Sequence, residues 1–300
     1  MIKCADYCAP HRRYRRDTRR QLDRLNANWG FRMKLKLDSK RALVTGASAG
    51  IGSAIAEVLA REGARVLVHG RNSARIRDVV DRIASAGGKA VAIEGDLTTD
   101  DGAAEVYSKA KVAFGGIDIL INNAGAYEAR SWFETTSATW RKFFETDVLS
   151  AVRLILAVVP DMRQAGWGRI VNVATGMATT PQVVMADYAA VKAAMVNSTV
   201  SLAKALAGTG VTANTVSPGV IHTEGVERVL REAAQRLGWG DDWEIIQRRW
   251  FEDMLSDKTV KRLGRVEEVA DLVAFVVSPL ADYINGANLR IDGGKSPSVN

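Results

Sequence analysis

The sequence predicts an α/β fold built on a single doubly wound parallel sheet with helices on both faces. Three observations predict it. Seven short strand-like runs, at 41–45, 65–69, 89–93, 117–121, 168–173, 211–216 and 287–291, alternate with helix-like segments, and that alternation joins parallel strands through helical crossovers. The first run breaks into a glycine cluster followed by a helical pattern. The 300-residue chain has no internal repeat, no low-complexity block and no apolar run long enough to span a bilayer. Its length beyond the first thirty-odd residues suits one α/β unit with a large core.

Arg41-Ala42-Leu43-Val44-Thr45 is a short apolar run of strand character. It breaks into Gly46-Ala47-Ser48-Ala49-Gly50-Ile51-Gly52, and Ser53 to Arg61 then reads as helix, with Ile55, Val58 and Leu59 apolar. Strand, glycine turn and helix form the setting that a dinucleotide site requires. Glycines let the backbone approach a pyrophosphate, and the helix presents free N–H groups and a positive dipole end to it. The spacing is Gly-x-x-x-Gly-x-Gly rather than the commoner G-x-G-x-x-G. A glycine turn with no ligand is the competing reading, and the flanking strand and helix argue against it.

The second strand, Arg65 to His69, ends in Gly70-Arg71-Asn72. An acid is expected near here when the cofactor is NAD, because it binds the ribose 2′-hydroxyl. None is present. Gly70 leaves room and Arg71 offers a fork of donors to a 2′-phosphate, which favours NADP over NAD. An exposed loop arginine is the bland alternative. His69 reads as a strand-end histidine rather than a catalyst. Ile119-Leu120-Ile121 and Leu154-Ile155-Leu156 read as short core segments.

The run from Tyr188 to Ala207 is rich in Ala, Leu, Met and Lys and reads as helix. Tyr188 and Lys192, four apart, share one face of it, and Thr175 lies thirteen positions before the tyrosine. A free tyrosine, with a pKa of about 10, transfers protons poorly near neutrality. A cation about 4 Å away at an effective dielectric near 20 interacts by roughly 4 kcal/mol. That is enough to draw the phenol toward about 7, where it passes a proton at working pH. Alone, the Tyr-x-x-x-Lys spacing is common surface decoration; its company gives it meaning.

That company makes the family recognisable. The chain resembles the short-chain dehydrogenase/reductase family from about Lys36 to Gly294. The motifs stand as Thr45 to Gly52, Gly95-Asp96-Leu97, Asn122-Asn123-Ala124-Gly125, Tyr188-x-x-x-Lys192, Ser217-Pro218-Gly219 and Ile291-Asp292-Gly293-Gly294. The general analogy is tightest to 3-oxoacyl-carrier-protein reductases. The resemblance implies a Rossmann fold over 36–296 with a helical substrate lid at about 224–262. It implies cofactor contacts from Gly46, Ser48, Gly50, Ile51 and Gly52, and from Asp96 at the adenine amine with Leu97 flanking the ring. Asn123, Ala124 and Gly125 would brace the cofactor, and Lys192 would grip the nicotinamide ribose. Pro218, Gly219, Ile221 and Thr223 would hold the carboxamide end. Family members pair through the two long helices near 139–165 and 186–207, so a homodimer or homotetramer is expected.

Two positions depart from the family pattern. Thr175 stands where a serine is usual; it keeps the hydroxyl that polarises a carbonyl and adds a methyl that limits its rotamers. Asp147 stands where a catalytic asparagine is usual, a residue that holds a water joining the lysine to solvent. Aspartate keeps the shape and loses the amide donor. Ionised about 8 Å away at dielectric 20, it would oppose the lysine by roughly 2 kcal/mol, less than the lysine supplies; protonation of Asp147 and its taking over the asparagine's role outright are the alternatives. The catalytic set expected is therefore Tyr188, Lys192, Thr175 and Asp147.

Charge is uneven along the chain. Residues 1–32 hold nine Arg or Lys against three Asp, and the remainder holds 32 basic and 31 acidic side chains. A solvated, disordered basic arm over 1–35 is the reading preferred to nucleic-acid or membrane binding by Arg12 to Arg16. Met33 also resembles an ordinary family start. The arm lacks the apolar stretch of a secretory signal, and as a transit peptide it lacks serines. Both cysteines, Cys4 and Cys8, lie in the arm, and with His11 they supply three ligands at most, so no metal is expected. A domain without cysteine is compatible with the cytoplasm.

The stretch from Thr223 to Leu263 is longer than compact family members use and contains Trp239, Trp243, Trp250 and Phe251. These aromatics either line an apolar substrate pocket or form the lid's own packing core. Trp243 and Trp250, seven apart, share one helical face, which favours packing. The expected activity is hydride transfer between NADP(H) and a carbonyl or secondary alcohol, with Tyr188 as general acid or base. The competing class is a non-catalytic dinucleotide sensor or scaffold, and Asp147 is its only support in the domain.

Overall fold

The computed structural model describes residues 34–254 and 260–297. The basic arm to Met33, with Cys4, Cys8 and His11, lies outside the described residues. Seven strands, β1 (Arg41–Val44), β2 (Arg65–Gly70), β3 (Lys89–Glu94), β4 (Ile119–Asn122), β5 (Gly168–Val173), β6 (Val211–Pro218) and β7 (Asn288–Ile291), form one sheet. Its order is β3-β2-β1-β4-β5-β6-β7 and every neighbouring pair is parallel. Each strand falls where the sequence predicts it, to within two residues at either end.

The helices are α1 (Gly50–Arg61), α2 (Ser73–Ser85), α3 (Asp100–Phe114), α4 (Ser137–Phe143), α5 (Ser150–Gln164), α6 (Ala186–Ala205), α7 (Glu224–Leu237), α8 (Trp243–Met254) and α9 (Val266–Val276). Local chemistry sets their limits. Thr99 accepts from Gly102 N at 3.1 Å to cap α3, Asp100 and Asp101 follow in its first turn, and Gly115 ends it at φ 81°.

Side-chain alternation along each strand divides the core between the two faces. Val44, Val68 and Ile121 pack under α1, α2 and α9 through Ile55, Leu59, Ile76 and Val273. Leu43, Leu67 and Leu120 face the other way, under α3, α5 and α6, through Val106, Leu154, Met162 and Ala203. Both faces are buried, so the strands read as continuous apolar runs. Strand order reverses between β1 and β4, and a crevice opens at their carboxyl ends.

Helices α7 and α8 occupy the stretch where a lid is expected. Leu230, Ala234, Ile246, Phe251 and Leu263 make a separate small core, with Trp239, Trp243 and Trp250 packed against it. Among the described residues, no helix is long and apolar enough to cross a membrane.

Candidate active site

The site sits where β1 and β4 part. Thr45, fully buried at the end of β1, donates its hydroxyl to Ile121 O at 3.2 Å and accepts from Asn123 N at 3.0 Å and Ala124 N at 2.9 Å. Asn123 Nδ2 returns hydrogen bonds to Thr45 O at 3.0 Å and Gly46 O at 3.1 Å. The glycine turn is thereby tied to the next strand before any ligand arrives. Gly46 (φ 61°) and Gly50 (φ 59°) lie in the left-handed region, and a Cβ on Gly46 would come within 2.8 Å of Ala124 Cα. Ala49 precedes α1 and offers its N–H groups no side-chain cap. An uncapped helix start beside a glycine turn fits a pyrophosphate.

Two cavities meet here, sharing Asn123 and Gly125. The smaller, about 260 Å³, is bounded by Gly46, Ser48, Gly70, Arg71, Asp96, Leu97 and Ala124. The larger, about 630 Å³, takes in Gly50, Ile51, Gly52, Asp147, Thr175, Tyr188, Lys192, Pro218, Gly219, Ile221 and Thr223. Every site residue expected from the sequence therefore lines one of the two. Arg71 is exposed at the rim of the smaller cavity and makes no ion pair among the described residues. Asp96 Oδ1 accepts from Thr98 N at 3.0 Å and Thr98 Oγ1 at 2.9 Å. Beside them His69 is 3 % exposed, its Nε2 stands 3.2 Å from Gly95 O, and burial pushes its pKa down to about 4. It stands near the end of β2, as expected, and it also borders the smaller cavity.

In the larger cavity Tyr188 and Lys192 share the inner face of α6, with Lys192 Nζ 5.8 Å from the centre of the phenol ring. Thr175, just past β5, presents its hydroxyl to Tyr188. Asp147 reaches the same point from a π-helical turn, Phe144–Leu149, between α4 and α5. It is fully buried, and its Oδ1 lies 3.1 Å from Lys192 Nζ. Its Oδ2 accepts from Ala126 N at 3.2 Å. Lys192 Nζ also donates to Val173 O at 3.1 Å. Gly125 passes so close that a Cβ there would lie 2.6 Å from Asp147 Oδ1 and 3.2 Å from Lys192 Nζ.

This geometry corrects one expectation. The sequence reading placed Asp147 as a distant, minor opponent of a lysine that draws Tyr188 toward neutrality. Asp147 instead touches the ammonium. Burial is the largest influence on the phenol and raises its pKa above the ordinary tyrosine value; Asp147 and Tyr127 raise it further, and only the Thr175 hydrogen bond lowers it. Asp147 itself is raised by burial, against the pull of Lys192 and the Ala126 N–H.

The start of α6 is held by contacts that sequence spacing does not reveal. Asp187, buried, accepts from Tyr188 N at 2.8 Å and from Thr135 Oγ1 at 3.1 Å, and pairs with Arg130 Nη1 at 3.3 Å. Met185 enters the helix at φ 64°, and its N–H reaches Arg130 O at 3.0 Å. Tyr127 is a further wall residue. Its ring centre lies 6.1 Å from that of Tyr188, and its hydroxyl stands where a Cβ on Gly225 of α7 would meet it at 2.8 Å. Nothing in the sequence marks Tyr127 or Arg130, which are brought in only by the path of the loop after β4. Arg75, in the first turn of α2, also borders the larger cavity. Trp250 both packs the lid and lines the cleft, so the two readings of the lid aromatics hold together. Thr223 caps α7 by accepting from Val226 N at 3.2 Å. His222 pairs with Glu227 at 3.0 Å and stacks on Trp243, outside the cleft lining.

Known proteins agree with this architecture. The family model described as short chain dehydrogenase matches residues 40–234. The uncharacterized oxidoreductase YvaG of Bacillus subtilis is 38 % identical over 271 residues, covering 89 % of this chain and all of the relative. The 3-oxoacyl-[acyl-carrier-protein] reductase FabG of Vibrio cholerae is 36 % identical over 87 % of this chain and 98 % of its own length. Among solved structures, L-sorbose reductase from Gluconobacter frateurii superposes with a TM-score of 0.83 at 30 % identity, covering 89 % of this chain and all of that one. The chain belongs to the short-chain dehydrogenase/reductase family, and it is an oxidoreductase acting on CH–OH groups with a nicotinamide dinucleotide.

Proposed function

We propose that residues 36–296 form an NADP(H)-dependent enzyme that interconverts a carbonyl compound and its secondary alcohol, with Tyr188 as the proton donor and acceptor. One observation carries this reading: Tyr188, Lys192 and Thr175 converge in a cleft that runs into the glycine turn and the uncapped start of α1. Bound nicotinamide would supply or accept the hydride. The Thr175 hydroxyl would orient the substrate oxygen, and Tyr188 Oη would exchange its proton. Lys192 would hold the nicotinamide ribose, and Asp147 would anchor Lys192. Pro218, Gly219, Ile221 and Thr223 would hold the carboxamide. Arg71, free at the rim, supports NADP over NAD, and L-sorbose reductase crystallised with NADPH is in keeping with that. Leu156, 70 % exposed on α5, supports pairing into a homodimer or homotetramer.

The sensor reading is not favoured, because a scaffold has no need of a phenol, a hydroxyl and an ammonium around one void. A screen of ketones with NADPH and of alcohols with NADP⁺, followed at the nicotinamide absorbance band, tests the proposal. Turnover is expected for the wild type, with a loss of orders of magnitude in Tyr188→Phe at retained NADPH binding. A Tyr188→Phe variant as active as the wild type refutes it.

A further inference from the structure

The Asp147 carboxylate is the only charged group of the described residues paired with Lys192 Nζ. The groups facing Tyr188 from each neighbouring element are few. On its own helix are Lys192 and Asp187, the latter committed to Arg130, Thr135 and the Tyr188 N–H. From the loop after β4 comes the ring of Tyr127, from the segment after β5 the hydroxyl of Thr175, and from the π-helical turn Asp147. Asp292, on the C-terminal segment of the cleft wall, accepts from Gly294 N and Ser296 N at 3.0 Å each, and Glu224 at the start of α7 is exposed. Arg75, Arg228 and Lys295 also line the larger cavity; of the described residues Lys192 is the cation set over the phenol ring, and a buried carboxylate lies 3.1 Å from its ammonium and offsets it. A phenolate here would gain little from a neutralised pair and would lose its hydration.

We propose that Asp147 is a positioning residue that holds Tyr188 as the neutral phenol and so biases the site toward carbonyl reduction, leaving alcohol oxidation to alkaline pH. This rests on the reading of Tyr188 as the proton-transfer group. In reduction the carbonyl carbon gains a hydride from the bound reduced nicotinamide, and the C=O π pair moves onto oxygen. That oxygen takes the Tyr188 proton, and the phenolate recovers one proton from solvent. A neutral phenol is ready for that step. Oxidation needs the phenolate as base, the form that the paired lysine supports poorly.

Tyrosine labelled with ¹³C at Cζ reports the charge of each phenol. The full chain is titrated by NMR with NADPH bound, and the Tyr188 signal is assigned by its loss in Tyr188→Phe. In the wild type, Tyr188 is expected to stay a phenol up to the ordinary tyrosine value of about 10. In Asp147→Asn, which keeps the shape and removes the charge, ionisation is expected at least about one pH unit lower. The rising limb of alcohol oxidation should move down with it. Ionisation of wild-type Tyr188 near neutrality overturns the proposal, whether or not the variant folds. So does an Asp147→Asn protein, folded by circular dichroism, that titrates with the wild type. Failure of the underlying reading looks different: Tyr188→Phe would then keep full turnover, wherever Tyr188 titrates.

Discussion

Replacing Arg71 with alanine tests the cofactor assignment at one contact. Arg71 follows Gly70 at the end of β2, is exposed, and faces the smaller cavity beside Ser48. A side chain at Gly70 would narrow that space, since its Cβ would lie 3.4 Å from Ser48 Cβ and 2.7 Å from Ile76 Cγ2. A 2′-phosphate there would meet one guanidinium. At a solvated rim each unit of phosphate charge about 4 Å away is worth about 1 kcal/mol, so a dianion gives about 2 kcal/mol. Charge-assisted hydrogen bonds of this kind contribute about 1.5–3 kcal/mol, which agrees. Arg71→Ala should therefore weaken NADPH binding by about 10- to 100-fold, and NADH, which has no 2′-phosphate, should be almost unaffected. Fluorescence titration of both reduced nucleotides against wild type and variant measures the ratio. Added salt should shrink the wild-type preference, because a rim contact is screened. An unchanged NADPH-to-NADH ratio refutes the reasoning, and loss of the preference in Arg75→Ala alone would place the phosphate at the first turn of α2.

Tyr188→Phe should lower kcat by about 10²- to 10⁴-fold, the usual worth of a general acid, with NADPH affinity retained; equal kcat values would remove Tyr188 from the chemistry. Thr45→Val removes one donor and strands two backbone N–H groups, so it should cost about 1–3 kcal/mol in urea denaturation and loosen cofactor binding; an unaltered midpoint would show the turn is held otherwise. His69 makes stability pH-dependent. Its folded pKa of about 4 lies below the unfolded value near 6.5, so the unfolded chain binds the proton more readily. Stability is full above about 6.5 and falls as pH drops toward about 4, by about 3 kcal/mol at most. Denaturation midpoints of His69→Gln should lose that part of the slope, and parallel curves would count against it. Deleting residues 1–32 should leave nucleic-acid mobility shifts at low salt as they are in the full chain, and a loss of binding would make the arm a nucleic-acid element.

Legibility in the sequence followed the range of the interaction that placed each residue. The strands were readable because a parallel sheet buried on both faces demands unbroken apolar runs, as in Ile119 to Ile121. The glycine turn was readable because positive φ and the close approach at Gly46 restrict the residue type locally. Tyr188 and Lys192 declare themselves because one helical turn fixes their separation. Asp147 shows the limit. Its identity was visible, and its departure from the family pattern was visible, but its distance was not. A guess of about 8 Å made it a weak opponent by Coulomb's law. A π-helical turn widens the chain by one residue per turn at that point and carries the carboxylate to 3.1 Å. At contact the carboxylate offsets the lysine rather than trimming it, so the same opposing influence on Tyr188 becomes a large one. The same holds for Arg130 and Asp187, 57 positions apart, whose pairing depends on where the loop after β4 crosses the start of α6. Local rules gave the parts of the site; the electrostatic balance among them depended on a few ångströms that only the folded chain supplies.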